Sequence, residues 1–285
     1  MESPIAQAAE GTHPGAALNV LLSAHFADRT LELPMLPTFA TQVVALCSDP
    51  SSDARSLANL LQRDPSLAAH VLAIANSAAM GANEPIVSLQ QAVARMGVRR
   101  LANIALSIAV KTKVFRPGKH VERVQKLWSH CSLTGALARE IARSRRRNVE
   151  SAFLCGLLHE VGAPVVLQAI DELQPKSGVE FSWPEMESAI EHFHCEVGER
   201  LVRAWSLPEW THAATRHHHH PEAATEFSDE VYTTRLADRL ARHSRAEDDL
   251  DGLDPILGAL GIYEDDFEAL KAQIDTIKAA AEALS

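Results

Sequence analysis

Paired cysteines are missing from this sequence. The four it has, Cys47, Cys131, Cys155 and Cys195, are scattered without C-x-x-C spacing, each in a helix-like stretch with apolar neighbours. This excludes a disulfide framework and points to reduced thiols in a cytoplasmic protein. A zinc site built from Cys155, His159, His194 and Cys195 lacks the paired spacing such sites use. Positive charge is also short. Against 37 Asp and Glu stand 27 Lys and Arg, a formal net charge of -10. A general nucleic-acid binder is therefore not expected, because phosphate-backbone affinity rests on excess cations. The run Arg143 to Arg147 is a local exception that reads as a solvated helix end. No apolar run looks long enough to cross a bilayer, and no charged segment precedes an apolar core at the N-terminus. Neither a membrane span nor a signal peptide is expected.

What is present is helical punctuation. With 285 residues, 46% of them hydrophobic, the chain can bury a substantial core in one large domain or two packed lobes. The first half shows no period-two alternation, which leaves helices as its building blocks. Residues 1–16 are small, polar and aperiodic, and read as a leader. Helices are then expected over Ala17–Ala27, Thr38–Cys47, Asp53–Gln62, from Pro65 through Asn76 to a stop near Gly81, Gln90–Met96 and Val98–Val114. Asp64 with Pro65, and Ser88 with Gln91, are start signals for two of them. Phe115 to Lys119, F-R-P-G-K, breaks the chain and separates a first lobe, 17–116, from a second, 117–245, with an extension over 246–285. The second lobe is expected to hold helices over Val121–Ser144, the stretch before Gly162, Ala163–Leu173, Pro184–Ile190, His194–Trp205, Pro208–His217 and Ser228–His243. Capping-box patterns stand at Ser182 with Glu185 and at Ser206 with Glu209. Glu264–Leu284 reads as a closing amphipathic helix that packs back or meets a partner.

The stretch N-V-E-S-A-F-L-C-G-L-L-H-E-V-G, Asn148 to Gly162, carries the chemistry. Phe153, Leu154, Leu157 and Leu158 recur at helical spacing, and the greasy helix delivers His159 and Glu160 to its end. A buried imidazole and carboxylate need a metal ion, a phosphate or a polar network to satisfy them. His130 lies on the apolar side of its helix, and Asp238 sits in R-L-A-D-R-L-A at the edge of a buried face. His194 and the run His217 to His220 are further imidazoles, the run reading first as a solvated helix end. Such ligands from separate helices suit a divalent ion, Mn, Fe, Mg or Zn according to the oxygen share.

Two motifs then carry a resemblance. R-D-P-S-L-A-A-H-V-L-A-I-A-N-S-A-A-M-G, Arg63 to Gly81, followed by S-L-Q-Q-A-V-A-R-M-G, Ser88 to Gly97, resembles the HDOD domain, a bacterial signalling module related to the HD phosphohydrolases. The L-P-M-L-P entry at Leu33, L-W-S-H-C-S at Leu127 and A-F-L-C-G-L-L-H-E-V-G at Ala152 fit the same pattern. The resemblance implies an all-α fold, a helical-bundle N-terminal lobe packed on an HD-like helical lobe. It also implies candidate metal positions: His130, His159 and Glu160 on the H-D doublet, Asp238 as the late aspartate, and His194 and His218 near the additional histidines of the cyclic-di-GMP phosphodiesterase branch. Glu160 replaces the doublet's Asp, and the G-Y-P signature of that branch is absent. The function this implies is a non-catalytic cytoplasmic signalling module that binds a signalling protein or a small nucleotide-type ligand, with metal-dependent hydrolysis of a nucleotide as the alternative.

Overall fold

The start signals in the sequence become helix caps. A computed structural model describes residues 14–28, 33–48, 54–77, 85–116 and 118–282. The expected leader up to residue 13, and the end of the Arg63–Gly81 motif beyond residue 77, lie outside them. Six helices come first: α1 (Pro14–Ala27), α2 (Thr38–Ser48), α3 (Ala54–Gln62), α4 (Pro65–Ala75), α5 (Leu89–Met96) and α6 (Val98–Lys113). Asp64 caps α4, its carboxylate accepting from the Leu67 amide at 3.0 Å. The Ser88 hydroxyl caps α5 through the Gln91 amide, while Gln91 reaches back to Val87 rather than to Ser88. Asn76 closes α4 by bonding Leu72 O and both backbone groups of Ile86, which pins the α4 end to the strand-like entry of α5. Val43, Leu57, Leu61, Val71, Leu101 and Ile104 form the core of this group. α1 stays out of that core, and Leu18, Leu22 and Phe26 join the buried cluster of the second half.

The second half contains α7 (Val121–Ser144), α8 (Val149–Leu158), α9 (Ala163–Ser177), α10 (Trp183–Ala204), α11 (Glu209–His217) and α12 (Ser228–His243), followed by α13 (Asp254–Leu260), α14 (Glu264–Lys271) and α15 (Ile274–Glu282). No strand occurs among the described residues, and the fold is all-α as the pattern predicted. α8 is the central element, packed against α7, α11 and α12. Two glycines let backbones touch there. A Cβ on Gly156 would lie 2.7 Å from Thr134 O of α7, and one on Gly162 would lie 2.1 Å from His194 O of α10. The turn carrying His159 and Glu160 is thereby clamped to the helix carrying His194.

Four expectations are revised. Pro184–Ile190 and His194–Trp205 are one helix of 22 residues, because no Gly or Pro interrupts the chain between them and the Ser182–Glu185 capping box starts a single run. Ser206 does not cap α11, whose N-cap is Pro208. The C-terminal helix breaks at Ala272 and Gln273, and its apolar face packs back, with Phe267, Leu270, Ile274 and Ile277 buried among Leu137, Ile141, Leu236 and Leu240. Arg145 is not a solvated end: it donates to Leu260 O at 2.7 Å and to the Asp229 carboxylate at 2.5 and 3.1 Å, joining α7 to α12 and α13.

The expectation about apolar length also needs correction. Residues 149–177 are apolar enough to cross a membrane, with mean hydropathy 1.6 over the best window, yet 94% of that window is buried inside the molecule. The apolarity belongs to a core, and the turn at His159–Gly162 divides it into α8 and α9.

Adding one methyl at the clamp tests this packing. Gly162→Ala is expected to lower the free energy of urea unfolding by about 3 kcal/mol, the upper range for overpacking, because its neighbours are backbone atoms that cannot rotate away. A loss below about 0.5 kcal/mol would contradict the clamp.

Candidate functional site

Five helices deliver polar side chains to one buried place. His130 comes from the middle of α7, His159 and Glu160 from the turn after α8, His194 from the middle of α10, His218 from the end of α11 and Asp238 from α12. His159, His194, His218 and Asp238 have no exposed surface, and His130 and Glu160 are 6% exposed. All six residues expected from the sequence are brought together. His218 is the largest surprise: the histidine run does end a helix, but that end abuts α10 rather than solvent.

The imidazoles are oriented by backbone carbonyls. His159 Nδ1 donates to Gly156 O at 2.8 Å, His194 Nδ1 to Ile190 O at 3.0 Å and Glu191 O at 2.9 Å, and His218 Nδ1 to Thr215 O at 3.1 Å. With Nδ1 donating to a carbonyl, each of these rings turns its Nε2 toward the centre of the cluster, the orientation that outer-shell carbonyls impose on metal-binding histidines. His130 Nε2 lies 3.3 Å from His159 Nε2 and 3.1 Å from Asp238 Oδ1, and Asp238 Oδ1 is 3.8 Å from His159 Nε2. On the other side, His194 Nε2 lies 3.3 Å from His218 Nε2 and 3.6 Å from Glu160 Oε2. Glu160 thus stands between the two halves of one cluster. The ligand-type atoms of His130, His159 and Asp238 lie within 4.8 Å of one another, as do those of His159, Glu160 and His218. This donor set, nitrogen with carboxylate oxygen, fits a divalent ion.

The electrostatics are strongly coupled. Burial works against charge on Glu160, but His194, His159, His218 and His130 together hold its carboxyl far below the usual range. Burial likewise opposes charge on His194, and the Glu160 carboxylate outweighs it and raises the imidazole to about 10. His218, buried beside other imidazoles, is pushed well below the ordinary histidine value, and burial also lowers His130. Asp238 stays well below the usual carboxylate range, burial being outweighed by hydrogen bonds from His130 and His159 and by Arg242.

Sequence reasoning missed the arginines. Arg242 Nε donates to Asp238 Oδ1 at 2.8 Å, and its Nη2 lies 3.5 Å from Glu160 Oε1. Arg235 Nη1 donates to Asp238 Oδ2 at 3.2 Å. Both stand three and four positions from Asp238 on α12, a spacing that puts them on its face and could have revealed them. His219, from the histidine run, and Cys195, weighed from the sequence only in a zinc set with Cys155, also join the cluster and reach His194 Nε2 at 3.1 and 3.2 Å.

A cavity of about 390 Å³ opens at the cluster's edge and is lined by His130, Glu160 and Arg242 with Arg123, Lys126, Arg245, Glu187, Glu191 and Trp183. The Arg123 guanidinium lies 3.3 Å over the Trp183 ring. Another cavity, about 410 Å³, sits where the halves of the chain meet, between Arg99, Asn103, Glu150 and Trp210. It touches none of the histidines, so chemistry places the site at the smaller one.

The chain is similar to proteins of one kind. The model of the family described as HDOD domain matches residues 33–221, which ends before α12 and so omits Asp238, Arg235 and Arg242. A crystal structure of an HDOD domain protein of unknown function from Geobacter sulfurreducens is 26% identical, with a TM-score of 0.74, covering 95% of this chain and 99% of that one. One from Marinobacter aquaeolei VT8, provisionally named a signal transduction protein, is 22% identical with a TM-score of 0.72, covering 98% of this chain and 68% of that one. A protein of Shewanella amazonensis SB2B, provisionally named a metal-dependent phosphohydrolase, is 20% identical with a TM-score of 0.71, covering 94% and 99%. These last two share the fold. A Treponema pallidum (strain Nichols) protein described as uncharacterized is 28% identical over 233 residues, and the match spans 78% of this chain but 44% of that protein's length.

Removing the buried carboxylate charge tests the electrostatics. Asp238→Asn leaves Arg242 and Arg235 facing a neutral amide, and is expected to destabilise the protein by about 3 kcal/mol in urea unfolding. Arg143→Gln, which breaks an exposed pair with Glu140, is expected to change stability by less than about 0.5 kcal/mol. Equal effects for the two variants would contradict the assigned role of Asp238.

Proposed function

The chain belongs to the HDOD domain family, and from that premise we propose that it is a regulatory signal-transduction module whose HD-like centre binds a small nucleotide-type ligand without cleaving it. The observation that carries this reading is Arg242. Its guanidinium contacts Asp238 and Glu160 together, so a fixed cation compensates the two carboxylates that a hydrolytic centre would leave for metal ions. His130, His159 and Asp238, with Glu160 beside them, would still hold a divalent ion of the Mn, Fe, Mg or Zn type. When bound, such an ion supplies Lewis acidity and lowers the pKa of a coordinated water.

The remaining work belongs to the chain's own groups. Arg123, Lys126 and Arg245 line the mouth, which suits a phosphorylated ligand, and the Trp183 ring beneath Arg123 holds that guanidinium in place. The acids Glu187, Glu191 and Glu247 share the rim and favour a ligand with donors as well as phosphate. Buried Cys131 and Cys155 are free thiols, in keeping with a cytoplasmic setting, and a partner protein would read whether the mouth is filled.

A second reading, metal-dependent hydrolysis of a nucleotide, is favoured by the convergence of His130, His159 and Asp238 on one point. Two measurements on untagged protein decide between them. Calorimetry against a panel of nucleoside mono-, di- and triphosphates is expected to find a ligand whose affinity falls about tenfold in Arg123→Ala. Phosphate release from the same panel, and cleavage of bis-p-nitrophenyl phosphate with Mn, Fe, Mg or Zn added, are expected to stay at the buffer rate. Turnover that disappears in His159→Ala would establish the hydrolase and remove the regulatory reading.

A further inference from the structure

The larger cavity, where the halves of the chain meet, has a chemistry of its own. We propose that it binds a small organic anion, whose carboxylate or phosphate head lies on Arg99 and whose apolar body lies between α6 and α8 against Trp210. The proposal goes beyond the function above. It uses none of the cluster's residues and holds whether or not the HD-like centre takes a nucleotide.

The cavity is built from both halves. Val43 of α2 and Leu106 of α6 line it from the first, and Leu154 of α8 and Leu207, in the connection from α10 to α11, line it from the second. Its volume of about 410 Å³ falls in the range of small-molecule sites, roughly 300–1,000 Å³. A polar tie crosses between the walls. The buried Asn103 of α6 donates its Nδ2 hydrogens to Glu150 O at 3.1 Å and to Glu150 Oε2 at 2.8 Å, both on α8.

The acceptors along the second wall are occupied. Glu150, which supplies the one carboxylate among the described lining residues, also receives Arg139 Nη2 on Oε2 at 3.1 Å. Asn148 Oδ1 takes the amides of Glu150 and Ser151 at 3.1 and 3.2 Å, so these first-turn donors of α8 are occupied as well. What remains is side-chain donors. Among the described residues the Arg99 guanidinium pairs with no carboxylate, and Asn148 Nδ2 and Trp210 Nε1 donate to no group. Open donors select a ligand rich in acceptors, and an uncompensated guanidinium selects one that is negatively charged.

Ser151 is an independent pointer to the same ligand. It is 5% exposed and lines the cavity from the first turn of α8. Serines in helices often return the hydroxyl to a carbonyl of the preceding turn, as Ser107 does to Asn103 O and Ser144 to Ile141 O. The Ser151 hydroxyl has no hydrogen-bond partner among the described residues. A buried hydroxyl left in that state is costly, and an oxygen of the ligand's head satisfies it. Donors at one side and leucines with Trp210 at the other fit an anion carried on an apolar body.

Fluorescence titration of untagged, full-length protein with anilinonaphthalene sulfonate, an anion on a flat apolar body, tests the proposal. One equivalent is expected to bind, about tenfold more tightly than the uncharged phenylnaphthylamine. Arg99→Ala is expected to weaken the probe about tenfold and Ser151→Ala about threefold. Arg143→Gln, which removes the same charge elsewhere on the surface, and Arg123→Ala, at the mouth of the HD-like centre, are expected to leave it unchanged. Displacement by decanoate identifies a carboxylate head and displacement by phenyl phosphate a phosphate head, while inorganic phosphate at the same concentration is expected to displace nothing. Equal affinity for the two probes, an unchanged Arg99→Ala, an equal loss in Arg143→Gln, or displacement by neither organic anion or equally by inorganic phosphate would each overturn the site. A loss in Arg123→Ala alone would put the anion at the HD-like centre, which overturns this proposal and leaves the regulatory reading standing.

Discussion

Asp238 is a carboxylate that water does not reach, and the second half of the molecule is arranged around that fact. An isolated charge in such a place is not tolerated. Here one oxygen takes hydrogen bonds from His130 and Arg242, and the other from Arg235. Those partners come from α7 and from successive turns of α12, so satisfying the charge fixes how the two helices lie. His159, 3.8 Å away, is then held against the same carboxylate, and through His159 the constraint passes to His218, whose ring meets it edge-on at 4.9 Å.

Close backbone approach supplies the precision. Gly156 lets α8 touch α7, and Gly162 lets the His159–Glu160 turn touch α10 at His194. A side chain at either position would push one half of the cluster away from the other. Imidazole–imidazole distances near 3.3 Å depend on these contacts, and the Nδ1 hydrogen bonds to carbonyls set the rotation of the His159, His194 and His218 rings. Packing places the ligands, and hydrogen bonds aim them.

Much of this was legible in the residues. Asp64 and Ser88 signalled helix starts through side chains that bond their own first turn, a local interaction that local sequence can report. The apolar spacing of Phe153, Leu154, Leu157 and Leu158 placed His159 at the end of a buried helix. What stayed hidden was tertiary. The run of α10 through His194 was open to a local reading, since no Gly or Pro lies between Ile190 and His194, but nothing near His217–His220 says that α10 lies against that end. The packing of α14 and α15 onto α7 needed the geometry of all three. Arg242 differs, since its i, i+4 relation to Asp238 was visible, but Asp238 had first to be known as fully buried for the pair to matter.

The account turns on Arg242 compensating the carboxylates that an HD hydrolase would give to metal. Diffraction from crystals soaked in manganese, using its anomalous signal, addresses that point most directly. The account predicts that the Arg242 guanidinium stays on Asp238 and Glu160, with at most one ion beside His130 and His159. A guanidinium swung clear, with manganese ions bridged by Asp238 and Glu160, would contradict it.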